Sequence, residues 1–320
     1  MTLNLLTYVP EGFVLLVDSI STSETFMPQG PKVTTYDHAM KIFELGGVRS
    51  RSAAMISGVG DVGGTLVSQL MKRASHAIDA LGDGQATHPA CVDEVARVVS
   101  PAYRSLTDFI ISQVLQQVRQ DPNALENINT GRAARGLPPL DNVDDISEAN
   151  IGLQGDTFPP GAEPDVFVQG PILEIVVATH QTDYSATVLR WPGELRTPIV
   201  VPGSEVGQVW WWGSGGSAVA RVVKGYDNGL LATDISAEGI AVTTYFTTRS
   251  VDYQMPLLLA VMPLQEAVYF SEYLSDVACG YDRFKAGPAS VGGAVNVMVI
   301  TDEDRTWLRR DRIQSRPITV

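Results

Sequence analysis

The sequence predicts an α+β protein in which antiparallel sheets are covered by helices, and three observations carry that expectation. Strand-like apolar segments occupy both ends and the middle of the chain. At Asp61 the apolar pattern changes to a helical period, and a second helical stretch follows before strands return. The resulting order, strands, two helices, strands, helices, strand, suits stacked antiparallel sheets under helices better than alternating β and α units. A length of 320 residues with 44% hydrophobic and 18% charged residues is enough for a sizeable core and argues against a disordered chain.

Taken in order, LNLLTYV (3–9) and FVLLVDS (13–19) flank Pro10-Glu11-Gly12 and read as a hairpin. A Gly/Pro-bearing loop is expected around MPQGPKVTT (27–35), and MKIFEL (40–45) and SAAMISG (52–58) read as two more strands. Leu66, Leu70, Ala74, Ile78 and Leu81 share a helical face that Gly82-Asp83-Gly84 stops. Helical spacing continues over 91–120, where Pro101 is expected to break or kink it. Residues 121–165 are rich in Asn, Asp, Gly and Pro without a sustained period and read as a long loop or insertion. Strands are expected at 172–180, 185–191, 205–213 and 293–301, with helices at 217–226 and 264–284. Alternation in 210–212 sends Trp211 to the face opposite Trp210 and Trp212, and all three read as packing residues.

A net charge of -13 disfavours a nucleic-acid partner. Cys91 and Cys279 have neither disulfide-framework nor zinc spacing, and His38, His76, His88 and His180 have no ligand spacing, so no metal or cofactor is expected. No Lys or Arg precedes Lys32, unlike a secretory signal, and the longest apolar run, MPLLLAVMPL (255–264), is about half of what a bilayer span needs. A cytoplasmic protein without a membrane partner is the expectation.

Two stretches carry candidate chemistry. MISGVGDVGGTLVSQL (55–70) places Gly58, Gly60 and Gly63 in G-x-G-x-x-G spacing, with Asp83 twenty residues on. A dinucleotide loop follows the first strand of a β-α-β unit, whereas here four strand segments precede it and no parallel crossover follows, so that reading is set aside. The second stretch is Thr2, directly after Met1. Removal of Met1 would put a hydroxyl and a free α-amine on one residue, and an α-amine with a pKa of about 7.7–8.0 can act as base for its own hydroxyl, directly or through a water.

With these residues in view, TLNLLTYVPEGFVLLVDSIST resembles the start of mature proteasome β-type subunits, N-terminal nucleophile hydrolases, in a bacterial proteasome-like form. The resemblance implies a single domain over 1–320 with the family's four-layer αββα sandwich of two antiparallel sheets, and insertions at about 121–165 and 229–255. It implies Thr2 as nucleophile, Asp18 and Lys41 as the charged pair beside it, and Gly58 as the oxyanion-hole amide. WWWGSGGSAVARVVKGY is similar to the family's Gly-Ser-Gly turn and points to Ser214; the helix ending at Asp282 and the segment SVGGAVNVMVITDED point to Asp282 and Ser290. Ile20, Thr22, Met55 and Gly60 are the implied substrate-binding positions.

The implied activity is a threonine-type peptidase in a self-assembled homo-oligomer, with peptide or unfolded protein as substrate and an ATPase as a further candidate partner. An inactive assembly or binding subunit and an amidase acting on a non-peptide amide are the alternatives. Three departures from the family stand out: Ile20 replaces its usual Arg, about eight extra residues separate Asp18 from Lys41, and RFKAGPA is inserted before Ser290.

Overall fold

Every residue of Leu3–Val9 (β1) and of Gly12–Asp18 (β2) is buried. Strands buried on both faces belong at the centre of a sheet with cover above and below. The computed structural model describes residues 3–27, 30–36, 39–82, 85–156, 158, 163–201, 207–213, 216–224, 257–284 and 291–310, with the backbone alone for 21–27 and 30–36. In it β1 and β2 form the expected hairpin around Pro10-Glu11 and lie inside a five-stranded antiparallel sheet. Gln208–Gly213 (β14) flanks β1, and Val295–Ile300 (β15) and Arg305–Arg309 (β16) continue beyond β2.

The second five-stranded sheet is also antiparallel. Its order is Leu195–Ile199 (β13), Tyr184–Trp191 (β12), Leu173–His180 (β11), Ser52–Gly58 (β6) and Ile42–Leu45 (β5). Among the described residues five helices accompany the sheets: Val67–Ala80 (α1), His88–Gln120 (α2), Ala124–Ala134 (α3), Gly216–Lys224 (α4) and Leu264–Phe284 (α5). The described chain is thus α+β with antiparallel main sheets, as the order of segments predicts.

Side-chain alternation sorts the apolar residues into three cores. Leu6, Phe13, Leu15, Val17, Met55, Val176 and Met298 meet between the two sheets, joined by Trp210 and Trp212. Leu3, Leu5, Val14, Leu16 and Val297 face the other way, onto Ala218 and Val219 of α4 and Leu274 and Ala278 of α5, with Trp211 beside them. On the far side of the second sheet, Phe43, Ile56, Ile175, Val177 and Leu189 pack on Leu70, Met71 and Ile78 of α1 and on Val95 and Val99 of α2. Each fully buried Leu or Phe contributes about 1.5–3 kcal/mol relative to exposure.

Several expectations change. The loop read around 27–35 is part of a second hairpin, Ser21–Met27 (β3) with Gly30–Tyr36 (β4), in register Thr22↔Thr35. Its Ser and Thr content hides the apolar alternation of a strand, although Thr favours one. Pro101 does not break α2, which runs through it for 33 residues. Pro101 and Arg97, four residues earlier, are both exposed, so the carbonyl that loses its amide partner lies at the solvent side.

The stretch 121–165 contains α3, two 3-10 turns and Ile151–Leu153 (β9), which pairs in parallel with Val166–Val168 (β10). Asp165 fastens it by ion pairs to Arg132 of α3 (2.8 Å) and to Arg135 just past its end, and Asn150 donates to the same carboxylate at 2.7 Å. Such tertiary anchoring, rather than periodicity, makes this short helix. The candidate insertion at 229–255 lies outside the described residues. Among the described residues no helix is long and apolar enough to cross a membrane.

At the Pro10-Glu11 end, polar side chains join the sheets. Arg305 of β16, almost fully buried, donates to the carbonyls of Leu45 (2.9 Å) and Gly47 (3.3 Å) in the β5–β6 hairpin and pairs with Glu44 at 3.2 Å. Arg51 donates to the Asp302 carbonyl, and the Tyr184 hydroxyl donates to the Glu11 carbonyl at 2.9 Å.

His88 opens α2 and ties it to the second sheet, Nδ1 lying 2.9 Å from Thr179 Oγ1 and Nε2 2.8 Å from Thr187 Oγ1. Burial holds its pKa below the ordinary 6.5. The unfolded chain therefore binds the proton first as pH falls through about 6.5, and folding stability drops with it. Urea unfolding between pH 7 and 5 should show this loss, and a His88→Gln variant should lose less over the same interval.

Candidate active site around Asp18 and Lys41

Two charges are buried side by side where β2 ends. Asp18 has no exposed surface and Lys41, just before β5, is only 5% exposed. Lys41 Nζ lies 3.0 Å from Asp18 Oδ1 and donates also to the carbonyl of Ile20. Asp18 Oδ1 accepts the Leu3 amide at 2.8 Å, and Oδ2 accepts the Gly292 amide at 3.1 Å. Burial pushes the Asp18 carboxyl up, and the Lys41 charge and these amides oppose it; burial pushes the Lys41 ammonium down, and Asp18 opposes that. A carboxylate with an ammonium and two amides aimed at it has the partners a buried anion needs.

The strands deliver these groups by register. Asp18 is the last residue of β2, opposite Val295, so its carboxylate faces the loop that leads into β15. That loop is pinned twice: the Ile20 amide donates to the Gly292 carbonyl at 3.2 Å, and the Val291 amide donates to Asp282 Oδ2 at 2.9 Å. Asp282, near the end of α5, therefore supports Asp18 through the backbone of Val291 and Gly292. Gly292 has φ 149, a backbone conformation that favours glycine, and a Cβ there would stand 2.9 Å from Ile20 Cδ1 and oblige that side-chain end to shift.

Lys41 is tied to β6 by the Ile56 amide, which donates to its carbonyl at 2.9 Å. Two residues further on, Gly58 ends β6 opposite Leu173, with φ 95 and an exposed backbone. A Cβ there would sit 1.9 Å from the Ile172 carbonyl, which only glycine avoids. The rest of the glycine run forms a two-strand hairpin, Asp61–Val62 (β7) and Thr65–Leu66 (β8), turning at Gly63-Gly64. The Gly60 carbonyl accepts the Val67 amide at 2.9 Å and so closes the start of α1. This geometry has no phosphate-cradle form, because a first amide of the helix is already bonded.

Of the residues expected from the sequence, Asp18, Lys41, Ile20 and Asp282 are brought into one bonded network, while Gly58 ends β6 two residues past Ile56, whose amide bonds the Lys41 carbonyl, and Gly60 lies between β6 and β7. Met55 is fully buried in the core between the sheets. Thr22 sits in β3, where only the backbone is described. Thr2, Ser214 and Ser290 lie outside the described residues. Sequence reasoning missed the amides of Leu3, Val291 and Gly292, whose role is in the backbone and has no side-chain signature. Surface hollows of about 410 and 530 Å³ lie at the opposite end, around His180, and neither Asp18 nor Lys41 lines them. Among the described residues no cluster of His, Cys, Asp or Glu could hold a metal.

Removing one partner strands the other as a buried charge. Lys41→Met should therefore cost about 3–5 kcal/mol in urea unfolding, and the double variant Asp18→Asn/Lys41→Met should recover most of it. Gly58→Ala should destabilise through the clash with Ile172, by about 1–3 kcal/mol or more. Comparison of the chain with protein-family models and with curated proteins finds no match to either.

Proposed function

We propose that the protein is an N-terminal threonine hydrolase of proteasome type, a peptidase that works through an acyl-enzyme. One observation carries the reading: the buried Asp18–Lys41 pair receives the amide of Leu3, the residue that follows Thr2. The carbonyl carbon of Thr2 is bonded to that nitrogen, and a planar peptide leaves little freedom between them. The three cores, with α4 and α5 on one sheet and α1 and α2 on the other, support a four-layer αββα sandwich in one proteasome-like unit.

In this mechanism Met1 is removed and Thr2 Oγ attacks the substrate carbonyl while its own α-amine takes the proton. The Lys41 charge lowers the proton affinity of that hydroxyl, and Asp18 holds Lys41 in place. The exposed amide of Gly58 donates to the developing oxyanion. The tetrahedral intermediate then breaks the substrate C–N bond, the α-ammonium gives its proton to the leaving nitrogen, the amine product departs, and water hydrolyses the remaining ester and frees Thr2. Ser214 and Ser290 are the candidate helpers at the amine. Enclosure of the site by a homo-oligomer, and delivery of unfolded protein by an ATPase, belong to the same reading.

The mature protein should lack Met1 by intact mass. Thr2→Ala should lower hydrolysis of fluorogenic peptides by about 10³-fold or more while circular dichroism and melting temperature stay unchanged. Retained Met1 together with no labelling by a threonine-directed electrophile would overturn the proposal. Labelling of Thr2 without cleavage of any peptide would move the substrate to a non-peptide amide.

A further inference from the structure

The core between the sheets is apolar along most of its length and turns polar at the Asp18 end. On the first sheet the inward positions pass from Leu6 to Asn4 on β1 and from Met298 to Asn296 on β15. Registers place Trp212, Asn4, Val17 and Asn296 in one row across four strands. On the second sheet the inward positions pass from Met55 to Ser57, from Val176 to Glu174 and from Val188 to Arg190. Ser57 Oγ donates to Glu174 Oε2 at 3.2 Å.

Asn4 is fully buried in this layer, yet neither its Oδ1 nor its Nδ2 has a hydrogen-bond partner among the described residues. A buried carboxamide without partners is unfavourable, and a leucine of similar shape would suit an apolar strand better. Polar walls with an open donor and an open acceptor are the setting in which a water is held between layers.

Resting on the reading of Thr2 as nucleophile, we infer that Asn4 is a positioning residue for the water that hydrolyses the acyl-enzyme. Thr2 precedes Asn4 by two residues in the sequence, and Leu3 between them is held by Asp18, so Asn4 is the next residue after the one that the Asp18–Lys41 pair binds. Asn4 Oδ1 accepts one O–H of the water and Nδ2 donates to its oxygen in the resting enzyme. In the deacylation step the water oxygen bonds to the ester carbonyl carbon and one of its protons passes to the Thr2 α-amine. The tetrahedral intermediate then breaks the bond from that carbon to Thr2 Oγ, and the same proton goes to Oγ. The carboxylic acid leaves and the free threonine returns. Asn4 touches the water and not the substrate, so it sets the rate of the second half-reaction and not of the first.

The test compares the full-length wild type, Asn4→Leu and Asn4→Ser with an activated peptide ester that Thr2 can open, following the acylation burst, the steady state and the intact mass. Asn4→Leu should melt about 2 °C or more above the wild type. Its burst should keep its rate, its steady-state turnover should fall on the order of 10- to 100-fold, and a mass of acylated chain should accumulate. Asn4→Ser, which keeps a hydroxyl for the water, should restore part of the turnover without the gain in melting temperature. Unchanged steady-state turnover in Asn4→Leu overturns the inference, and so does a variant that melts below the wild type, because Asn4 would then be a structural group. If the wild type itself forms no acylated chain, the reading of Thr2 fails and the inference with it. A wild type that acylates while Asn4→Leu behaves identically places the failure at Asn4 alone.

Discussion

The contact between Lys41 and Asp18 is the constraint on which the surrounding structure depends. Neither charge can be buried alone, and even together they leave lone pairs and protons that must be satisfied. The chain meets that need from separate places: the Leu3 amide at the start of β1, the Ile20 carbonyl after β2, and the Gly292 amide before β15. These segments are distant in sequence, so the pair reaches its partners only when the first sheet has its strand order. The ends of β1 and β2, the start of β5 and the loop before β15 are thus fixed by one electrostatic requirement. Burial also works against both charged forms. A cation that is held but not comfortable is well suited to altering the proton affinity of a neighbour.

Much of the architecture was legible in the amino-acid sequence because alternation and helical spacing are strong where a segment covers a core. The β1–β2 hairpin, α1, α5 and β15 follow directly from that pattern. The elements that escaped lack it: β3 and β4 are Ser- and Thr-rich, and α3 is held by Asp165 rather than by an apolar stripe. Pro101 misled because local propensity was outweighed by the packing of α2 against the second sheet.

At the candidate site the charged side chains Asp18 and Lys41 could be named, and so could Asp282. The way Asp282 acts could not, since its bond is to the amide of Val291 and passes to Asp18 through backbone. Met55 shows the limit of position alone. Ile56 is its immediate neighbour, and that single step along β6 moves a side chain from the core between the sheets to the core beneath α1 and α2.

The two sheets are joined unevenly along their length. At the Pro10-Glu11 end, Arg305, Arg51 and Tyr184 cross from one sheet to the other and bond to backbone carbonyls. At the Asp18 end the link is a buried charge pair, Lys41 beside β5 on Asp18 of β2, with the Ile20 carbonyl as its further partner. The apolar core between the sheets is thus closed at both ends by polar links, of which one ends on backbone carbonyls and the other on a buried carboxylate, so a change of sheet spacing at the Asp18 end has to break a desolvated ion pair.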